Sequence, residues 1–276
     1  MSLIKSTKTE IRNSVILLLT GEPGSGKTVQ ALSFPDPILV LDFDQKCFAI
    51  AQKHYPDKHV DFCTPTELYN NEDPQEISNS PFSCLSEAFS PSNPVKYKTV
   101  VIDSLTSLTG FFFENAIKIL YGSMKSLVLS DLKTKNFDIS LYSKSQRYIL
   151  DLLRQVISYC NKNNINLILI AHDLITEYNN EILNKKYTKY SIISEGQKLS
   201  TLIIALFDTH LRAFAQEIPV DQGINFRFAI RAIGAGDEFA RNTYNLPASF
   251  YVDKMNLYQT LEKCLFRNSN RNTKEN

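Results

Sequence analysis

Short apolar runs recur along the chain, separated by stretches with helical spacing. The first, Ser14-Val15-Ile16-Leu17-Leu18-Leu19-Thr20, is continuous and of strand length, and Val29-Gln30-Ala31-Leu32 opens a helix shortly after it. Ile38 to Phe43, introduced by Pro35-Asp36-Pro37, predicts a second strand, and Val60 to Cys63 a short third. Thr99 to Ile102 and Ile165 to Ala171 predict two more. Between these, Tyr148 to Ile157 has the spacing of an amphipathic helix that leads to Cys160 and stops at Asn163-Asn164. Strands alternating with helices predict a parallel sheet with helices on both faces.

The remaining segments are less regular. Tyr69 to Pro94 is rich in Asn, Ser, Pro and Glu and predicts surface helix and loop. Phe111 to Leu141 starts with apolar helical spacing and turns polar. Leu206 to Ala215 and Asn225 to Ile233 predict a C-terminal antiparallel hairpin, and Leu257 to Phe266 a last helix. The polar tail Arg267 to Asn276 is expected to be disordered. No internal repeat is visible.

At 276 residues with 43% hydrophobic content the chain can bury a large core. A core over residues 1–245 and a C-terminal helix and tail over 246–276 is the expected division. The net charge of +1 gives no global basic field, so any contact with a polyanion has to come from a local patch. Cys47, Cys63, Cys84, Cys160 and Cys264 are scattered, with no C-x-x-C pair, and read as reduced cytosolic thiols rather than metal ligands. No apolar run approaches the ~20 residues of a membrane span, and Met1 to Lys5 has no secretory pattern. A cytoplasmic location is expected.

Against this frame Gly21-Glu22-Pro23-Gly24-Ser25-Gly26-Lys27-Thr28 fits G-x-x-x-x-G-K-[ST] at every fixed position, between a strand and a helix. Glycines let the backbone curl so that successive N–H groups face phosphate oxygens, and the helix start adds further donors. Lys27 can reach the β- and γ-phosphates and the Thr28 hydroxyl can ligate Mg²⁺. A glycine turn with no ligand is the plain alternative. Thr99-Val100-Val101-Ile102-Asp103-Ser104 is a second strand ending in a carboxylate. Asp103 is thereby a candidate for the Mg²⁺ water shell, with a helix N-cap as the competing role. Asp42 and Asp44 end strand two, where one of them can orient the attacking water as a general base. His172, after Leu167 to Ala171, is a candidate γ-phosphate contact or an ordinary sheet-edge histidine.

In this order, the glycine loop, Leu41-Asp42-Phe43-Asp44, Val100 to Leu108 and Ala171-His172 resemble RecA/RadA-type ATPases. The length, Asp-Phe-Asp, Ala-His, Ser194 to Lys198 and Phe207-Asp208 resemble the minimal RecA-core ATPases of bacteriophages, a group associated with single-strand annealing and recombination. The resemblance spans roughly residues 12 to 245. It implies a RecA-like P-loop core, ATP and Mg²⁺ as cofactors and Mg-dependent ATP hydrolysis. It also implies action on single-stranded DNA, self-association into an oligomer or filament, a single-strand binding protein as a further partner, and the cytoplasm of a bacterial host. Asp44 takes the place of the catalytic carboxylate, a glutamate in RecA itself, and His172 that of the γ-phosphate-sensing glutamine. Arg241 falls near a basic pair of the phage relatives, but Phe239 replaces the lysine-like partner, so no trans-acting cation is identified.

The family's two DNA loops follow the strands ending at Asp103 and His172. The first would lie in Tyr121 to Lys144, with Lys125, Lys133 and Lys135; the second in Thr176 to Tyr190. There, Lys185-Lys186-Tyr187-Thr188-Lys189-Tyr190 interleaves cations with rings. That suits a single strand, with lysines on phosphates and tyrosines stacked on bases, whereas the bland reading is a solvated hairpin. Two other functions stay open. A nucleotide or small-molecule kinase would need a lid with several arginines, and none follows His172 until Arg212. A regulatory or assembly ATPase with a protein partner suits the near-neutral charge.

Overall fold

The computed structural model describes residues 14–64, 74–121, 139–180, 185–194, 197–220, 223–232 and 241–272. Its centre is β1, Ile16–Gly21, buried along its whole length. Because β1 is covered on both faces, its side chains alternate between two cores. Ile16 and Leu18 join one and Leu17 and Leu19 the other.

β1 is flanked in parallel by β5, Asn166–Asn180, and β7, Thr209–Val220. With β2 (Ile38–Asp42), β3 (Val60–Cys63), β4 (Thr99–Asp103), β8 (Gly223–Arg231) and β9 (Ser249–Tyr251), the strand order is β3-β2-β4-β5-β1-β7-β8-β9. The first six strands of this order, β3 to β7, run parallel; β8 and β9 then add antiparallel. This is the expected α/β class, including the antiparallel end. β5 separates β1 from β4, so the glycine loop and Asp103 approach each other across an intervening strand.

Helices cover both faces. On one lie α3 (Pro74–Ala88), α4 (Leu105–Tyr121), α5 (Ile139–Asn163) and α6 (Gln197–Leu206), around Phe112, Ile149, Leu152 and Leu199. On the other lie α1 (Lys27–Ala31), α2 (Cys47–His54) and α7 (Leu257–Asn272), around Leu32, Phe34, Ala51 and Leu261. α5 ends as its Asn-Asn signal implied. Asn164 takes φ +55°, and the Ile165 N–H donates to the Cys160 carbonyl at 2.9 Å, closing a Schellman-type end. The start of α7 is tied to α1 and the turn after it: Leu257 N–H donates to Gln30 Oε1 at 2.8 Å and Tyr258 N–H to Ser33 Oγ at 3.4 Å.

Three expectations need correction. The tail was expected to be disordered from Arg267, yet α7 runs to Asn272. No Pro or Gly interrupts 257–272, and propagating a nucleated helix adds one hydrogen bond per residue fixed. Thr176 to Tyr190 was expected to hold a loop, with a hairpin as the alternative; residues 176–180 and 185–190 pair as an antiparallel ribbon. β5 continues nine residues past Ala171 and pairs with β6, Lys185–Ile192, from Asp173 opposite Ile192 to Asn180 opposite Lys185. Beyond Gly21, β1 no longer supplies partners for β5, and β6 satisfies those backbone groups instead. Finally, Tyr69 to Pro94 is more than surface, because Leu85 and Ala88 of α3 are buried in the first core.

Phe112 is fully buried and contacts the rings of Phe111 and Tyr148. Phe112→Ala is expected to lower the unfolding free energy by about 3–5 kcal/mol, as measured by urea denaturation, and to leave the distant glycine loop unchanged.

Candidate nucleotide site

The glycine loop leaves β1 at Gly21, whose φ of +150° and surroundings admit no side chain. A Cβ there would lie 2.2 Å from the Ala213 carbonyl oxygen and 2.7 Å from Ser25 Oγ. Gly26, at φ +83°, turns the chain into α1 in the left-handed region that glycine adopts without strain. α1 is only five residues long, so the loop itself, more than a helix dipole, shapes the cradle. Ser25 Oγ is buried and has no protein partner.

Lys27 is buried and folds back over the loop, its Nζ donating to the carbonyls of Gly21 at 2.9 Å and Glu22 at 2.7 Å. Burial lowers its pKa from 10.5 to about 8, opposed by Asp103, Asp173, Asp44 and Glu22 in that order. One ammonium among four carboxylates is a poor attractor for a triphosphate by itself. A divalent cation would correct the balance, and hard oxygen donors for it are present. Thr28 Oγ1 donates to Asp103 Oδ2 at 2.6 Å, so the two sequence-predicted metal residues are in direct contact. Glycine cradle, unpartnered Ser25 hydroxyl and oxygen donor pair together fit Mg²⁺ and a phosphate chain.

Asp103 does not cap α4. Ser104 does, accepting from the Ser107 N–H at 3.5 Å. Besides Thr28, the thiol of Cys47 donates to Asp103 Oδ2 at 3.2 Å, and burial raises the pKa of this carboxyl. Burial also holds Cys47 as the thiol.

Asp42 and Asp44 separate clearly. The Asp42 carboxylate is buried and accepts the N–H groups of Lys46 at 3.3 Å and Cys47 at 2.8 Å at the start of α2. Asp44 faces the site. Its Oδ1 accepts the hydroxyls of Ser104, at 3.1 Å, and Ser107. Its Oδ2 lies 3.9 Å from His172 Nε2, beyond hydrogen-bond reach. Burial, then Lys27, lowers the His172 pKa, so the ring is neutral at pH 7, and its Nδ1 has no partner. Ser104, Ser107 and Cys47 were missed by sequence reasoning. Ser104 and Ser107 could have been seen as a hydroxyl pair three apart at a helix start; nothing marks Cys47.

A cavity of about 770 Å³, within the range of small-molecule sites, opens here. Its lining includes Lys27 and Thr28 of the loop, Asp44, Asp103 and His172, and also Ile50, Phe228 and Val252. The polar groups suit phosphates and the apolar ones a flat ring. The backbone of Lys185, Lys186, Tyr187 and Lys189 lies in β6, on the ribbon that leaves the sheet after His172. Arg241 pairs by backbone with His210 and donates from Nη1 to the Phe207 carbonyl at 3.2 Å. Lys125, Lys133 and Lys135 lie outside the described residues.

Among known families, the one described as AAA domain matches residues 13–233, which contain Lys27, Thr28, Asp44, Asp103 and His172. No curated protein matches the chain. Among solved structures it is similar to a KaiC-like protein, PH0186, from Pyrococcus horikoshii OT3, at 13% identity and a TM-score of 0.40, with 84% of this chain and 82% of that one covered. Among the described residues no helix is long and apolar enough to cross a membrane.

The depressed Lys27 pKa has a measurable sign. Folding favours the neutral amine, so the stability it permits is complete above pH 10.5 and is lost as pH falls through about 8. Lys27→Met is expected to make the ligand-free chain more stable at pH 7 by roughly 1–3 kcal/mol, net of the two carbonyl bonds lost. The gap should close toward pH 10.5 in paired urea titrations. The same variant should lose ATP binding.

Proposed function

The chain belongs to the AAA domain family, and on that premise we propose that it hydrolyses ATP with Mg²⁺ and uses the cycle to act on single-stranded DNA in recombination or strand annealing. One observation supports the hydrolytic part above the rest. The lysine, the Thr28–Asp103 pair, Asp44 and His172 converge on one cavity at the carboxyl ends of β1, β2, β4 and β5. Ligands of open parallel sheets collect at that edge.

In this reading Gly21 to Thr28 wrap the phosphates and Lys27 exchanges its two carbonyl acceptors for phosphate oxygens. Thr28 and Asp103 hold the magnesium and its water shell. Magnesium held there would supply neutralisation of the charge that develops on the phosphates. Asp44 Oδ2, left open by the two serine hydroxyls on Oδ1, accepts the proton of the attacking water. Neutral His172 offers a ring nitrogen to the γ-phosphate. Ile193 N–H donates to the His172 carbonyl at 2.9 Å, so movement there reaches the base of the β5–β6 ribbon.

The DNA part rests on the resemblance and on the composition of β6. Lysines and tyrosines alternate on a ribbon that starts one residue past His172. Self-association and a single-strand binding protein as partner belong to the same proposal.

Asp44→Asn is expected to bind ATP normally and to hydrolyse it ~10²–10⁴-fold more slowly, with Asp42→Asn affecting stability more than turnover, as single-turnover assays would show. The reverse ranking would move the base to Asp42. For DNA, fluorescent oligonucleotide binding is followed against salt with a slowly hydrolysed ATP analogue. Replacing Lys185, Lys186 and Lys189 by alanine should reduce the log–log slope by about 2, at ~0.7 per phosphate contact. Tyr187→Ala should weaken binding with little change of slope. Wild-type protein that binds ATP and no oligonucleotide at low salt would replace DNA by a protein partner, the assembly ATPase.

A further inference from the structure

One arginine outside the nucleotide cavity touches three parts of the molecule at once. Arg212 lies on β7 in register with Thr20 of β1. Its side chain reaches across the end of β1 to β5, where Nε donates to Asp173 Oδ2 at 2.6 Å. Both groups are buried, with side chains 9% and 3% exposed. Nη2 stands 3.8 Å from Glu22 Oε1 of the glycine loop. The guanidinium carbon lies 4.2 Å from the centre of the Tyr190 ring, on β6. Asp173 follows His172, and the pairs Asp173–Ile192 and Ile175–Tyr190 form the base of the ribbon.

A buried ion pair of this kind adds little net stability, because desolvation offsets most of the attraction. What it does fix is geometry. The planar guanidinium can bond a carboxylate along its edge, face a second one and stack on a ring in one pose, which lysine cannot. Glu22 is the movable member, 59% exposed. It is also the residue whose carbonyl accepts Lys27 at 2.7 Å. When Lys27 turns to phosphate, that carbonyl keeps only the Ser25 N–H, at 3.2 Å, while the cation that the Glu22 side chain acts on is drawn to a new anion. Both changes act on the residue that Arg212 faces.

We propose that Arg212 is a positioning residue that transmits occupancy of the glycine loop, through Glu22, to Asp173 and Tyr190 at the base of the β5–β6 ribbon. The proposal rests on the nucleotide-binding reading of the loop. It needs no particular partner on the ribbon.

The chain contains no tryptophan, so Tyr190→Trp installs a single reporter against the guanidinium in the full-length protein. Tryptophan keeps the cation–π contact. Binding is measured separately with a fluorescently labelled ATP and Mg²⁺. The reporter protein is expected to change emission saturably with ATP and Mg²⁺. Adding Glu22→Gln should remove most of that change when the responses are compared at saturating ATP and Mg²⁺, with occupancy fixed by the variant's own labelled-ATP titration. Arg212→Lys should remove it too, and lower kcat with little change in KM. If Arg212→Lys fails to fold, Glu22→Gln carries the test, since its side chain is exposed. An emission response of parental size in Glu22→Gln, or nucleotide binding with no response in the reporter protein itself, overturns the coupling. Absence of labelled-ATP binding overturns the nucleotide reading and the coupling together.

Discussion

Keeping one ammonium buried at the end of β1 organises the sheet edge. Lys27 is 5% exposed and its nearest charges are Asp103, Asp173, Asp44 and Glu22. Each carboxylate is itself held away from collapse onto the amine. Thr28 and Cys47 engage Asp103, Ser104 and Ser107 engage Asp44, and Arg212 engages Asp173. The ammonium is left to two backbone carbonyls, contacts it can give up without leaving a charge unpaired. A site tied instead by a direct Lys–Asp bond would have to break a buried ion pair before it could take a phosphate, at a cost of several kcal/mol.

The strand frame was legible because β1, β2, β4 and the first half of β5 are buried on both faces, which leaves continuous apolar runs with sharp polar ends. Those ends are also where the candidate residues Lys27, Thr28, Asp44, Asp103 and His172 sit, and the structure brings all five to one cavity. The ribbon was legible only as the alternative, a solvated hairpin. Its pairing lies outside the buried sheet, so no apolar run announced it, and the sequence Glu181 to Asn184 has no Asn-Gly or Asp-Gly signal. Ser107, Cys47 and Arg212 act by contacts that bridge 63, 56 and 39 residues of sequence, and no local pattern encodes such distances.

The two faces of the sheet divide the labour at this edge. Lys27, Asp44 and His172 line the cavity, with α1 and α2 beside it. Thr20, His210 and Arg212 follow the parity of Ile16 and Leu18, toward the other core. There Thr20 Oγ1 lies 3.1 Å from His210 Nε2, and burial lowers the His210 pKa to about 4, so the ring is neutral at any working pH. Its Nδ1 has no partner. The cheaper tautomer leaves that nitrogen as a bare acceptor and puts the proton on Nε2, toward Thr20. The Thr20 hydroxyl donates to the Leu211 carbonyl at 3.4 Å. Burial raises the Asp173 pKa, and the Arg212 bond at 2.6 Å opposes it by favouring the charged carboxylate. Thr20, His210, Asp173 and Arg212 are not among the residues that line the cavity; Asp173, next to the proposed phosphate contact, is the first of the β5–β6 ribbon.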